Sequence, residues 1–340
     1  MTASTGERRR EASTAVTDET TRGVSREAWM FAVRRSWHGF LRHRGVDAAA
    51  ALTFFTTLAI FPIVLSVVSF LALLDGGRGS VTRLMKAVDD VAPHSTAAVL
   101  AQPIAAFTHL ANPAFGLTIG LGLSLWSISG YATAFGRAVN SVYEVQEGRV
   151  FWRFRWLMLL LSVPLLIAGA TAIAILLLTP DVVGALHLGA PWTVVWSVGR
   201  WALLVAVLLI IVALLYYFTP NIARPRLRWV SWGSAFAIVV WALATAGFAV
   251  YIANFSSYGK LYGWLGGAII LLLWFYLTNL VLVFGAELDA ELVRVRQLHA
   301  GIAAEEVVQL PLRDSTRNLV LARQLARDVA EGRSLRERGD

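Results

Sequence analysis

Six stretches of this chain contain no Asp, Glu, Lys or Arg: roughly 51–74, 114–136, 156–178, 201–218, 229–252 and 264–286. Each is about 18–25 residues long, and at about 1.5 Å rise per residue such a helix crosses a hydrocarbon core of about 30 Å. A core helix of a soluble domain keeps a polar face, whereas Leu157–Leu178 and Trp201–Phe218 have almost none. The whole chain agrees: 57% of its 340 residues are apolar and 15% charged, against about 25% charged in a soluble domain. These runs exclude a soluble enzyme and a disordered regulator, and the lack of any cysteine excludes a disulfide scaffold. The expected fold class is an all-α membrane protein, a bundle of six transmembrane helices.

The net charge of +8 would suit a nucleic-acid partner if the basic residues were evenly spread, and they are not. Residues 1–46 hold nine Arg, 137–155 four, 219–228 three and 287–340 nine. The alternate segments hold Arg78, Arg83, Lys86 and Lys260, with Arg200 at the lip of the fourth run. A division of 25 against 4 is the positive-inside pattern and predicts both termini in the cytoplasm. The expected partners are therefore membrane lipids, with anionic headgroups at the cytoplasmic face, and no nucleic acid. Trp152, Trp156, Trp192, Trp196, Trp201, Trp229, Trp232 and Trp264 fall at span ends, as an interfacial belt requires. Arg8, Arg9 and Arg10 are followed by Glu11 and a long polar stretch, not by a cleavable apolar segment. The reading is a multi-pass protein of a bacterial inner membrane.

Outside the spans, residues 1–24 are polar and read as a disordered tail. Residues 25–46 hold an interfacial amphipathic helix, with Trp29, Val33, Trp37, Phe40 and Leu41 at helical spacing and Arg26, Arg34, Arg35, His38 and Arg42 on other faces. The six-span domain covers 47–296, and 297–340 form a cytoplasmic tail with a helix near 315–331. In the external segment 75–113, two short amphipathic helices are expected to lie over the outer span ends, because a structureless loop of that length is unusual.

Motifs for catalysis are missing. There is no phosphate-binding loop and no GxSxG, and the six histidines never fall at HxH or HExxH spacing. Asp89, Asp90 and His94 come nearest to a metal cluster and read better as a solvated loop face. No enzyme activity, cofactor or metal is expected. Polar residues in or beside the membrane remain as candidates, because each is costly there. Thr53, Thr56 and Thr57 precede Pro62 in span 1; Ser124, Ser127 and Ser129 crowd span 2 behind Gly116 and Gly120 at GxxxG spacing. These two glycines are expected to face another helix. Asn279 stands mid-span in span 6, where an amide needs a partner; Thr57, Ser127 and Thr245 are the hydroxyls expected to supply it. At the cytoplasmic ends, Arg137 and Glu287 are expected to pair, either as a gate or as a structural pin.

At these positions the sequence resembles the YihY/BrkB family of six-span bacterial membrane proteins. The resemblance rests on ALTFFTTLAIFP at 51–62, LWSIS at 125–129, VNSVYEVQEGRVFWR at 139–153, LYYFTPN at 215–221, YGWLGG at 262–267, LLLWFY at 271–276 and FGAEL at 284–288. It spans roughly 27–295 and leaves both tails outside. Residues matching the family pattern are Pro62, Asn140, Tyr143, Glu147, Arg149, Pro220, Asn221, Gly263 and Glu287; no chemical role comes with the match. The resemblance implies a transport-like role for a lipidic or amphipathic envelope component. The alternative is a non-transporting structural or assembly factor. Family members have also been labelled ribonuclease BN, which the motif census does not support.

Overall fold

A computed structural model of the chain describes residues 25–75, 84–86, 99, 101, 103–107, 112–177, 190–223, 232–254 and 264–339. Eight long helices follow in order: α1 (Arg26–Arg42), α2 (Gly45–Asp75), α3 (Pro113–Val142), α4 (Phe151–Leu177), α5 (Ala190–Phe218), α6 (Trp232–Asn254), α7 (Trp264–His299) and α8 (Thr316–Arg338). Helices α2 to α7 are each long and apolar enough to cross a membrane. Helix is the form such sequences take in lipid, because every backbone N–H and C=O must be satisfied within its own segment.

Local chemistry sets several of the boundaries. The Ser25 hydroxyl accepts the Ala28 N–H at the start of α1, and the Asn112 side chain does the same for Phe115 ahead of Pro113 in α3. Between α1 and α2 the chain breaks at Arg44, whose φ of 56° lies in the left-handed region. That single kink turns α1 back along the bundle. Pro62 and Pro164 sit inside α2 and α4. Helix α5 begins at Ala190, well before the run expected at 201, because one arginine near a helix end does not stop it; Arg200 stacks over Trp201 at 5.3 Å. Helix α8 runs to Arg338, beyond the expected 331. Of the 75–113 segment, Leu84 and Ile104 are buried against Val68 and Leu71 of α2; the remainder of that expectation, like the 1–24 tail, falls outside the described residues.

The six spans pack in the order α6, α7, α2, α3, α4, α5, each touching the next. Helices α5 and α6 meet only sparsely, so the spans form an arc rather than a closed ring. Close approach on one side of the arc needs glycine: a Cβ on Gly120 of α3 would stand 2.7 Å from Ser66 Oγ and 2.9 Å from Ser66 N on α2. The principal core lies towards the end where α1 and the chain's last segment sit, here the basal end. There Phe135 and Val139 of α3, Val212, Leu215 and Tyr216 of α5, and Val283 and Ala286 of α7 pack together. The arc is sealed at that end. Tyr216 donates to the Leu282 carbonyl at 2.6 Å, and Gly233 of α6 meets Gly285 of α7 so closely that a Cβ on Gly233 would lie 2.7 Å from the Gly285 oxygen.

Candidate functional site

The basal end gathers polar and charged side chains from segments far apart in the sequence. Its centre is Arg149, 3% exposed, in the connection between α3 and α4. Nε and Nη2 donate to the two carboxylate oxygens of Glu147 at 2.7 Å each, and Nη2 donates again to the Thr219 carbonyl at 2.6 Å. The guanidinium plane covers the Phe154 ring at 4.5 Å. Asn140, at the end of α3, donates to Glu147 and accepts the Asn221 N–H at 2.8 Å. Asn221 then spans outward: its amide nitrogen donates to the Gln146 and Asp314 carbonyls, and its oxygen accepts the Asp314 N–H. Pro220, between Thr219 and Asn221, is buried with them. Thus Asn140, Glu147, Arg149, Pro220 and Asn221, named separately from the resemblance, meet in one knot.

The segment 302–315 straps this knot to α7. Ile222 pairs with Leu312 in a short antiparallel bridge, and Arg313 donates to the Ile222 carbonyl and to those of Tyr217 and Phe218 at the C-terminus of α5. The Tyr217 and Phe218 carbonyls close the helix and have no helical partner of their own, so a cation there is favoured twice over. At its other end the strap is held by Arg294, which donates to the Ala304 carbonyl, and by Gln297, which exchanges two hydrogen bonds with the Gln309 backbone. Gly148 permits the strap to pass, since a Cβ would fall 1.9 Å from the Asp314 oxygen. Hydrogen bonds from Thr316 and the nearby Arg153 guanidinium hold the Asp314 carboxyl below the usual carboxylate range.

A second group lies beside the knot on α7. Glu287, 1% exposed, binds His43 Nδ1 at 2.7 Å; His43 Nε2 stands 3.5 Å from Glu144, which Arg42 also reaches at 2.9 Å. One turn on, Glu291 lies between Arg35 at 3.1 Å and Arg294 at 2.9 Å. Tyr143 donates to Asp289 at 3.1 Å. These ion pairs and the Ala32–Leu288–Leu292–Val295 contacts fasten α1 along α7. The expected Arg137–Glu287 pair is therefore replaced: the carboxylate takes His43, which the Arg44 kink delivers, while Arg137 is on an exposed face of α3. Sequence reading passed over His43, Arg294, Gln297 and Arg313. The signal available for the α7 residues was an apolar i, i+4 repeat (Leu288, Leu292) continuing among charges beyond the span, which marks a helix still packed on several sides.

Within the spans, Asn279 is 2% exposed and fully engaged. Its oxygen accepts from Tyr131 at 2.9 Å; its nitrogen donates to the Phe275 carbonyl at 2.9 Å and approaches Thr53 and Thr56 at 3.3 and 3.4 Å. The amide faces α2 and α3, but through different hydroxyls from those expected. Thr57 bonds back to the Thr53 carbonyl instead, and α6 addresses α7 through Trp241 and Thr278. Ser127 is buried on α3, Pro62 is half-buried in α2, and Gly263 lies outside the described residues. Among the described residues no group of three or more His, Cys, Asp or Glu could hold a metal ion.

Comparison with known proteins agrees with this architecture. The family model described as virulence factor BrkB matches residues 36–308. A Bacillus subtilis (strain 168) protein that carries the name ribonuclease-like protein YfkH is 32% identical over 270 residues, covering 75% of this chain and 93% of its own. A UPF0761 membrane protein of Aeromonas salmonicida (strain A449) is 26% identical over 260 residues, covering 75% of this chain and 86% of its own. No solved structure matches. The matched region takes in all six spans, the basal knot and the first half of the strap, and the chain belongs to the virulence factor BrkB family of membrane proteins.

Proposed function

We propose that this protein transports or accommodates a lipidic or amphipathic component of the cell envelope, in a bacterial inner membrane with its basal end in the cytoplasm. The orientation is supported by the sequence count of 25 basic residues in the two tails and alternate connections against 4 in the others. The observation that carries the function is the arc. Five helix pairs pack side by side, while α5 and α6 meet only sparsely, each held to α7 at the basal end by Tyr216 and by the Gly233–Gly285 contact respectively. A seam between two helices this apolar is open to acyl chains of the surrounding bilayer, and α6 is the least buried of the six spans. The polar groups within the charge-free runs are hydroxyls, amides and indoles, which suit an amphipathic guest better than a coupled ion. The ribonuclease-like name belongs to the Bacillus relative, and the basal carboxylates here are occupied by Arg, His, Asn and Tyr partners.

The test is occupancy. A photoactivatable phospholipid is incorporated with the purified protein into bilayers, and its adducts are mapped by peptide mass spectrometry. Labelling concentrated on α5 and α6 supports the reading. Labelling spread evenly over all six spans would favour a non-transporting structural factor of the envelope.

A further inference from the structure

Arg155 stands in the second turn of α4, inside a helix that qualifies as a membrane span. Its guanidinium carbon lies 4.3 Å from the centre of the Trp126 ring, and Nη1 is at a long 3.5 Å from the Thr133 hydroxyl. Both neighbours belong to α3, within the charge-free run 114–136. Arg149 and Arg153, just before it, are paired with Glu147 and Asp314; among the described residues no carboxylate pairs with Arg155. Trp126 is 62% exposed, so ring and cation face the surroundings of the bundle and not its core. Arg137 follows Thr133 by one helical turn, on the same face of α3, and is exposed. It too lacks a carboxylate partner among the described residues.

A cation at the edge of the hydrocarbon without a counter-ion is costly. An indole face beneath a guanidinium steadies it and leaves its edge donors free for an anion. Arg137 closes the apolar run 114–136 at its basal end, and Arg155 reaches the same face of α3 at Thr133, one turn further in, so the two cations bracket the rim where the phosphates of a bilayer leaflet lie. We infer that Arg155, floored by Trp126, and Arg137 form a binding site for the phosphate of an anionic phospholipid on the membrane-facing side of the α3–α4 hairpin. The site is separate from the α5–α6 seam and does not depend on transport.

The test uses the full chain in detergent, titrated with phosphatidylglycerol, phosphatidylcholine or inorganic phosphate and read by native mass spectrometry and melting midpoint. Phosphatidylglycerol should be retained preferentially and raise the midpoint. Arg155→Met and Arg137→Met should each weaken that retention roughly fivefold, as about 1 kcal/mol per arginine implies, with the lipid-free midpoint unchanged. Arg155→Lys, which keeps the charge but not the planar stack, should fall between. Unaltered retention in the double variant would overturn the site. So would equal stabilisation by inorganic phosphate, which would mark a free-anion site. If Arg155→Met lowers the lipid-free midpoint by several degrees, Arg137→Met, at an exposed residue, decides: a loss of phosphatidylglycerol retention there upholds the site and unaltered retention overturns it.

Discussion

Replacing Arg149 with Met removes the guanidinium at the centre of the basal knot and little else. The unbranched apolar stem of Met occupies most of the same path and retains contact with Phe154, so the loss is electrostatic. Glu147 is left with Asn140 and the Arg149 N–H as donors, at 2.9 and 3.1 Å, and no cation. Breaking a buried ion pair from one side costs roughly 3–5 kcal/mol, because the remaining charge stays desolvated. The Thr219 carbonyl loses its 2.6 Å donor in the same step. Unfolding of the purified protein in mixed micelles, followed by tryptophan fluorescence against denaturing detergent, measures the difference. Arg149→Met should be destabilised by about 3–5 kcal/mol. Adding Glu147→Gln should recover half or more of that, since the orphaned charge is gone. A single variant within about 1 kcal/mol of the parent, the value of an exposed pair, would refute the reasoning; so would a double variant no more stable than the single one.

Three further outcomes are expected. Gly120→Leu drives a side chain into Ser66 of α2, and by overpacking should cost about 1–3 kcal/mol and lower folded yield in detergent; unchanged yield and thermal stability would place that face against lipid. The Asp314 carboxyl is held below its ordinary value of about 3.9, so its contribution to fastening the strap is present above that value and lost as pH falls through the lower folded one. A spin label on a cysteine at residue 325 should therefore stay restrained down to about pH 4 and loosen below it, whereas Asp314→Asn should loosen it at neutral pH; a mobility independent of pH and of the substitution would exclude the mechanism. Because the chain has no cysteine of its own, single cysteines at residues 5 and 335 report orientation directly: neither should react with an impermeant reagent in intact cells, and labelling from outside would invert the topology.

The spans were legible because hydrocarbon imposes one rule on sequence, the exclusion of charge over about 20 residues, and α2 to α7 obey it. The GxxxG glycine at 120 was legible for a similar reason: absence of a side chain is a statement about a neighbour's distance. The basal site was not legible as a site. Asn140, Glu147, Arg149 and Asn221 could be named through resemblance, but their meeting depends on where α3 and α5 end relative to each other, which no local spacing encodes. The strap left almost no trace, since a single bridge at Ile222 and Leu312 is too short for an alternating strand pattern. Glu287 received the wrong partner because charges were assigned to span ends as though those ends were free. The turn at His43 and Arg44 carries an imidazole to the carboxylate, and backbone curvature of that kind at a non-glycine residue has no sequence signal of its own.

The proposed passage of an amphipathic molecule along the sparsely packed α5–α6 face is tested most directly by lipid movement across a reconstituted bilayer. Proteoliposomes carrying a headgroup-labelled fluorescent phospholipid are treated with an impermeant reductant, which bleaches only the label that reaches the outer leaflet. Bleaching should proceed beyond the outer-leaflet half, at a rate that rises with protein content, and should stop there in protein-free liposomes. Bleaching that stops at the outer half at every protein content, for phospholipids and for lipid-linked envelope precursors alike, would contradict it.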